Sequence, residues 1–227
     1  MKKLFTLIAV AMMAVGAQAQ KISFTADDVA SAGTLNEKEF VNGEFKLKIT
    51  DTATKIAIDA NNCYFGTADS QEKFTHRLKT GGKSSSKNTL TLTIPAAGTL
   101  KVCVRTGSSS ATDRNIVLTQ DGTELYNQIA KDADAIKVTG LNEDDPTAET
   151  NVFPVISTTV AAGEVVVTYP AGAVNFYAFE LVSGDDAAVK TINADVQDGP
   201  AYNLGGQKVA DQYKGLVIKN GKKMVVK

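Results

Sequence analysis

The chain has no tryptophan, a single histidine and only two cysteines, and each scarcity narrows what it can do. Without tryptophan, any ring that stacks on a sugar must be Tyr or Phe. With His76 as the only imidazole and no zinc spacing, nucleophile elbow or phosphate loop in sight, the residue patterns of metal-assisted, acyl-transfer and nucleotide chemistry are missing. A Cys–His pair would require the fold to bring His76 to Cys63 or Cys103, neither of which stands in a local catalytic signature. Charge of one sign is also lacking: 24 Lys and Arg face 25 Asp and Glu, for a formal net charge of −1. That balance gives no overall electrostatic footprint for nucleic acid or an anionic membrane. Long apolar runs are confined to residues 4–15, too short to span a bilayer, so no transmembrane segment is expected.

What is present begins with that N-terminal run. Met1-Lys2-Lys3 is a positive n-region, residues 4–15 an apolar h-region, and Ala17-Gln18-Ala19 a small-x-small cleavage site, so residues 1–19 read as a signal peptide. Cleavage removes Lys2 and Lys3 and takes the formal net charge from −1 to −3. No Cys follows the cleavage site, which argues against a lipid anchor. After export, Cys63 and Cys103 meet an oxidising compartment. A bridge between them would contribute roughly 4 kcal/mol in the chain-entropy model; two buried thiols are the alternative, since each lies in a strand-like run.

The body is patterned with period two. Phe45, Leu47 and Ile49 alternate with Lys46, Lys48 and Thr50; Leu90, Leu92 and Ile94 with Thr89, Thr91 and Thr93; Leu100, Val102 and Val104 with Lys101, Cys103 and Arg105. Such alternation puts one face in a core and one in water, as in antiparallel sheets. A strand at residues 21–24 comes first, and the stretch 27–40 has room for one short helix. Further strands are expected at residues 116–118, 123–129, 153–160, 165–169 and 174–182, with turns at Ala97-Gly98, Asp121-Gly122, Ala162-Gly163 and Pro170-Ala171-Gly172. Many short strands without helices between them predict an all-β antiparallel β-sandwich of the jelly-roll type. Residues 81–86 read as a flexible polar loop and 141–150 as a long acidic one. The expected layout is a signal peptide (1–19), a sandwich domain (20–182), a small polar linker (183–191) and a β tail (192–227). In the tail, Asn220-Gly221 between Leu216-Val217-Ile218 and Met224-Val225-Val226 is a strong two-residue hairpin signal.

Two resemblances add to this reading. The tail pattern Tyr202-Asn203-Leu204, Gly206-Gln207, Val209, Lys214-Gly215-Leu216, Ile218 and Asn220-Gly221-Lys222-Lys223 resembles the short C-terminal sorting domains of the bacterial type IX secretion pathway. It implies the secretion machinery as a partner and a secreted or cell-surface destination. The body, through Phe74-Thr75-His76-Arg77-Leu78, Leu92-Thr93-Ile94-Pro95, Val167-Thr168-Tyr169-Pro170 and Asn175-Phe176-Tyr177-Ala178-Phe179, is similar to the jelly-roll modules attached to secreted polysaccharide lyases, which resemble carbohydrate-binding modules. It implies a fold and, more loosely, a polysaccharide or glycan partner. Asp51-Thr52-Ala53 is similar to a short O-glycosylation acceptor found in bacteria that use this sorting pathway.

Candidate chemistry is sparse. His76 shares an alternation face with Phe74 and Leu78, which reads as a hydrogen-bonded histidine at the core edge. Glu143, Asp144 and Asp145, or Asp132 and Asp134, offer oxygen ligands for calcium but without defined ligand spacing, and read better as solvated acidic loops. No cofactor is expected. Carboxylate pairs for hydrolysis or elimination need not be close in sequence, but carboxylates are abundant and their presence alone decides nothing. Sugar binding needs an exposed ring beside polar groups. Tyr177 and Phe179 share a face with Leu181, and Tyr169 with Val165 and Val167, so these read as core. Tyr64 and Tyr126 are the candidate platforms, with Arg105 and Arg114, near Gly/Ser-rich turns, as polar partners. The expected function is a secreted non-catalytic module that binds a glycan. The alternatives are a structural or adhesive surface module and, less well supported, a polysaccharide lyase or hydrolase.

Overall fold

The period-two segments become two facing sheets. In the computed structural model, which describes residues 18–183 and the backbone of four short strands beyond them, Phe45, Leu47 and Ile49 are fully buried while Lys46, Lys48 and Thr50 stay partly open. One sheet runs β2 (Glu39–Asn42), β3 (Phe45–Asp51), β6 (Asn88–Ile94), β13 (Gly163–Thr168), β8 (Asn115–Gln120) and β9 (Thr123–Ile129), antiparallel throughout. The other runs β10 (Ile136–Val138), β11 (Thr150–Phe153), β4 (Ala57–Gly66), β5 (Gln71–Lys79), β14 (Val174–Ser183), β7 (Gly98–Thr106) and β12 (Ile156–Val160). Beside β14 also lies β1 (Gln18–Ser23). The chain is an all-β sandwich, as expected, with one departure from antiparallel pairing: β11 runs parallel to β4, Val152 opposite Tyr64 and Phe153 opposite Phe65. A single 3-10 turn, Ala26–Asp28, takes the place of the expected short helix.

The core between the sheets joins Phe45, Leu47, Leu90, Leu92 and Val165 of one sheet to Val102, Phe176, Phe179 and Leu181 of the other. Burying each such side chain contributes about 1.5–3 kcal/mol. Tyr169 is fully buried beside Val165 and Val167, as alternation required. Tyr177 is not where alternation put it. The β14–β7 register slips between Phe176 and Ala178, and such a bulge turns the following side chains over. Phe176 therefore stacks on Phe179 inside the sandwich, ring centroids 5.2 Å apart. Tyr177 turns away to Phe65, 5.1 Å distant. A matching slip in β4–β5 between Ala60 and Cys63 sends Cys63 and Phe65 to the same side. Together with Phe74, Cys103 and Phe153 these residues form a second apolar cluster. Phe74 and Leu78 thus belong to different clusters, and His76 between them is half-buried, its Nδ1 2.9 Å from the Thr75 hydroxyl.

The expected single strand at 153–160 is two. Pro154 has no N–H to donate, and the chain leaves β4 after Phe153 to pair with β7 from Ile156. The loop 81–86, read as flexible, is pinned by side chains that its composition did not reveal. Asn88 donates to the Lys83 carbonyl (2.9 Å) and accepts from the Ser85 hydroxyl (2.6 Å), and the Ser84 hydroxyl accepts from the Tyr169 amide (2.9 Å).

The chain divides into two compact units, Met1–Ala188 and Val189–Lys227. Ser183, expected as the first linker residue, closes β14 opposite Gly98 and Gln18; the rest of the linker and most of the signal peptide lie outside the described residues. Cleavage before Gln20 would leave β1 paired from Gln20–Leu181 to Ser23–Ala178. In the second unit β15 (Ala201–Asn203), β16 (Lys208–Val209), β17 (Gly215–Lys219) and β18 (Lys222–Val226) form an antiparallel sheet in the order β16-β15-β17-β18. Lys219 pairs with Lys222, and the expected Asn220-Gly221 turn between them lies outside the described residues.

Candidate functional site

β9 and β12 are edge strands of opposite sheets, and where they diverge the sandwich opens. The Thr158 hydroxyl donates to the Leu125 carbonyl at 3.4 Å. Beyond that contact lies a groove of ≈ 390 Å³ lined by Tyr126, Gln128, Lys131 and Asp134 on one part and by apolar residues such as Phe153 and Ile156 on another. Tyr126, opposite Leu118 on β8, is half-buried with its ring against the core. Burial, and then the Asp134 carboxylate, raise its phenol above the ordinary value. Among the described residues, the side chains of Gln128, Lys131 and Asp134 form no hydrogen bond or ion pair with another residue. The groove thus offers an amide, an ammonium and a carboxylate, none already engaged, beside an aromatic ring and an aliphatic wall.

Arg105 holds one wall from behind. Its guanidinium carbon lies 4.5 Å from the Phe153 ring centroid, and its Nη2 donates to Asp132 Oδ2. Asp132 opens the 3-10 turn Asp132–Asp134, which carries the groove residue Asp134. Burial works against the charge of Arg105, but the hydrogen bond and charge of Asp132 outweigh it and hold the guanidinium more firmly protonated than usual. The side chains are 25% and 14% exposed, so this pair is largely withdrawn from water.

The other predicted site residues do not join the groove. Arg114 donates to the Ala171 carbonyl (2.8 Å) and lies 3.3 Å from Asp113. It is seated over Gly172, where any Cβ would fall 2.1 Å from its Nη1. Tyr64 donates its hydroxyl to the Leu141 carbonyl (2.8 Å), and Lys73 Nζ stands 5.9 Å from its ring centroid. It lines a separate hollow of ≈ 290 Å³ with Asn62, Glu143 and Asp144. The four candidates are therefore scattered: Tyr126 lines the groove, Arg105 braces it, and Tyr64 and Arg114 lie elsewhere.

Cys63 and Cys103 are free buried thiols rather than a bridge. They sit on β4 and β7 with β5 and β14 between them in the sheet. Three strand spacings are ~14 Å along the sheet, against the ~7 Å that a disulfide's Cα atoms tolerate. Burial raises both thiols, Cys103 to about 12, which removes the thiolate that oxidation or nucleophilic attack needs. The carboxylates Glu72 and Glu180 line one hollow, but Lys21 lies between them, paired with Glu72 and 3.9 Å from Glu180, and Lys101 takes Glu180 at 3.3 Å. Asp145 is engaged by the Thr147 hydroxyl (2.7 Å) and amide (3.0 Å), which hold its carboxyl below the ordinary carboxylate value. No cluster of three or more His, Cys, Asp or Glu suited to a metal ion occurs among the described residues, and no helix there is long and apolar enough to cross a membrane.

Sequence reasoning missed Gln128, Lys131 and Phe153. Nothing local marks them, because the groove arises where two sheet edges meet. Asp132 and Asp134 were visible as an acidic pair, but one became the partner of a distant arginine.

No family model matches the chain, and no curated protein does. Among solved structures it is similar to a chain described with the Ruminococcus flavefaciens cellulosome and its expansion in glycan recognition, at 14% identity and TM-score 0.35 over 73% of this chain and 94% of that one. It is also similar to the catalytic unit of a thermostable GH87 alpha-1,3-glucanase from Streptomyces thermodiastaticus, at 14% identity and TM-score 0.35 over 77% of this chain and 31% of that one. A GH87 alpha-1,3-glucanase catalytic domain in complex with tetrasaccharides follows at 8% identity and TM-score 0.31, 64% of this chain covering 29% of that one. The chain spans under a third of these glucanase chains. At such identities and TM-scores, nothing about ligand or chemistry passes from them to this protein.

Proposed function

We propose that the protein is an exported, non-catalytic β-sandwich module that binds a glycan in the groove beside Tyr126. One observation carries the reading: a half-exposed ring, an aliphatic wall and three unengaged polar side chains share one concavity. A pyranose needs that combination, a flat apolar surface for its C–H face and donors and acceptors for its hydroxyl rim. Three of the four expected ligand residues do not line this groove: Arg105 braces it, Arg114 straps a turn and Tyr64 lines a separate hollow, so Lys131, Gln128 and Asp134 take the orienting roles. The non-catalytic part rests on what the candidate groups are already doing. Glu72 and Glu180 are paired with lysines, and the thiols are buried.

Export and sorting belong to the same proposal, motivated by the two chain ends. Fractionation should find the protein outside the inner membrane, and removing residues 192–227 should leave it in the periplasm if the tail is a sorting signal. The ligand test is a glycan array with calorimetry on the best hit. Tyr126→Ala should weaken binding about tenfold or more, the loss of one ring contact with its desolvated surroundings, while Tyr64→Ala should leave it unchanged. Failure of every glycan to bind would favour a structural surface module, a reading that the scattering of Tyr64, Arg105 and Arg114 already fits.

A further inference from the structure

The near-zero net charge hides an uneven distribution. The turn after β3 and the turn between β5 and β6 interlock at one end of the sandwich. The Ala53 amide and the Thr52 hydroxyl both donate to the Lys87 carbonyl, at 3.2 and 3.4 Å. Gly81, at φ 62°, brings the second turn so close to the first that a Cβ there would lie 2.4 Å from the Lys55 carbonyl. Behind them Asp51 is 1% exposed and spends both carboxylate oxygens on the amides of Lys55 (2.8 Å) and Ile56 (2.9 Å). Asn88, fully buried, fixes the Lys83 carbonyl. The two turns are thus one rigid tip.

Lys55, Lys83 and Lys87 project from this tip, all exposed. None of their side chains makes an ion pair or hydrogen bond among the described residues, although Lys21, Lys48, Lys79, Lys101 and Lys137 all do. Residues 52–55 and 81–87 contain no Asp or Glu at all. The same two turns also expose hydroxyl side chains, those of Thr52, Thr54, Ser85 and Ser86. A preformed cluster of unneutralised cations attracts anions, and does so without paying to order flexible loops.

We infer that this tip is a second binding surface, for an acidic polysaccharide whose uronate carboxylates meet the lysines and whose hydroxyls meet the Ser and Thr side chains. Other polyanions fit it less well. The arginines that would fork around phosphate are elsewhere and occupied: Arg77 on Asp59, Arg105 on Asp132, Arg114 on Ala171. The tip exposes no ring on which a nucleobase could stack, Tyr169 beneath it being fully buried. Among the described residues the large apolar side chains that stand exposed, Val29, Val41, Ile129, Ile136 and Val166, all lie on other segments, so nothing at the tip enters a bilayer. The surface shares no residue with the Tyr126 groove and does not depend on that reading.

The test uses the full-length secreted chain and three probes: polygalacturonate, neutral dextran, and duplex DNA. Binding to polygalacturonate alone is expected, weakening as salt rises from 50 to 500 mM because exposed charges are screened over about 10 Å at 0.1 M. The triple variant K55Q/K83Q/K87Q should bind roughly tenfold more weakly, the sum of three exposed ion pairs. A control with the same charge change, K38Q/K46Q/K137Q, and the groove variant Tyr126→Ala should both bind as the parent does. Independently of any variant, acetylation mapped by mass spectrometry should show Lys55, Lys83 and Lys87 protected by polygalacturonate and Lys38 not. Equal binding to DNA, an unaffected triple variant, a loss in the control or in Tyr126→Ala, or no protection of the three lysines would each overturn the inference.

Discussion

Breaking the Arg105–Asp132 pair tests how the groove is held, because its cost can be worked out from the geometry. Asp132→Ala removes a charge-assisted hydrogen bond between side chains that are 25% and 14% exposed. Such a bond contributes about 1.5–3 kcal/mol. The orphaned guanidinium recovers part of that by reaching water, so the net loss should be about 2 kcal/mol, between the values for surface and buried pairs. Arg105→Ala forfeits the same bond and also the contact over Phe153 at 4.5 Å, worth roughly 0.5–1 kcal/mol, for a total of about 3. If the two side chains act as one unit, the double variant should also lose about 3 kcal/mol rather than the additive 5. For a body of this size a loss of about 2 kcal/mol lowers Tm by roughly 4–8 °C, and urea titrations followed by circular dichroism resolve the cycle. A second readout separates bracing from mere stability. The groove ligand should bind more weakly to Asp132→Ala than to Phe74→Ala, which damages the second apolar cluster without touching the Asp132–Asp134 turn. Additivity of the single variants within about 0.5 kcal/mol would refute the account of Arg105 as a brace.

Three further outcomes follow from individual side chains. Burial raises Asp59, but the hydrogen bonds and charges of Arg77 (2.8 Å) and Lys79 (2.7 Å) outweigh it and lower its pKa below 3.8. Its contribution is therefore present above the unfolded value and lost as pH falls through the folded one, so Asp59→Asn should destabilise at pH 7 and destabilise progressively less as pH falls below the ordinary carboxylate range, as chemical denaturation across that range would show. Asn88→Ala leaves the Lys83 carbonyl and the Ser85 hydroxyl without their partner; it should cost about 1–3 kcal/mol and admit protease cleavage within residues 81–86 that the parent resists. Native protein should leave both Cys63 and Cys103 unreacted with a thiol reagent at pH 8, and both should react on unfolding; rapid labelling of the folded chain would contradict their buried, protonated state.

How far the sequence could be read depends on where its period of two survives. β3 and β6 keep strict alternation over their whole length, and β7 departs from it only at buried Cys103; there Phe45, Leu47, Leu90, Leu92, Leu100 and Val102 were legible as inward residues and are all fully buried. The readings failed where a strand carries an extra residue. Nothing in Asn175-Phe176-Tyr177-Ala178 announces that the register slips, because a bulge is decided by the partner strand and by what packs behind it. Tyr177 was therefore assigned to the wrong face. The same holds for Ala60 to Cys63 on β4.

These slips are what gave the molecule its candidate site. By turning Cys63, Phe65 and Tyr177 outward they create a second apolar cluster, and that cluster draws in Phe153, which Pro154 then releases from β4 toward β7. Phe153 in turn stacks with Arg105, Arg105 fixes Asp132, and the turn carrying Asp134 closes on Tyr126. Each link joins residues far apart in the chain, so composition and spacing could nominate Tyr126 and Arg105 but could not say that one would line the groove and the other would hold it. The lysine tip is illegible for the opposite reason. Its residues are close in sequence and plainly basic, but whether Lys55 stands free depends on Asp51 being consumed by backbone amides, a local pairing that a net charge of −1 conceals.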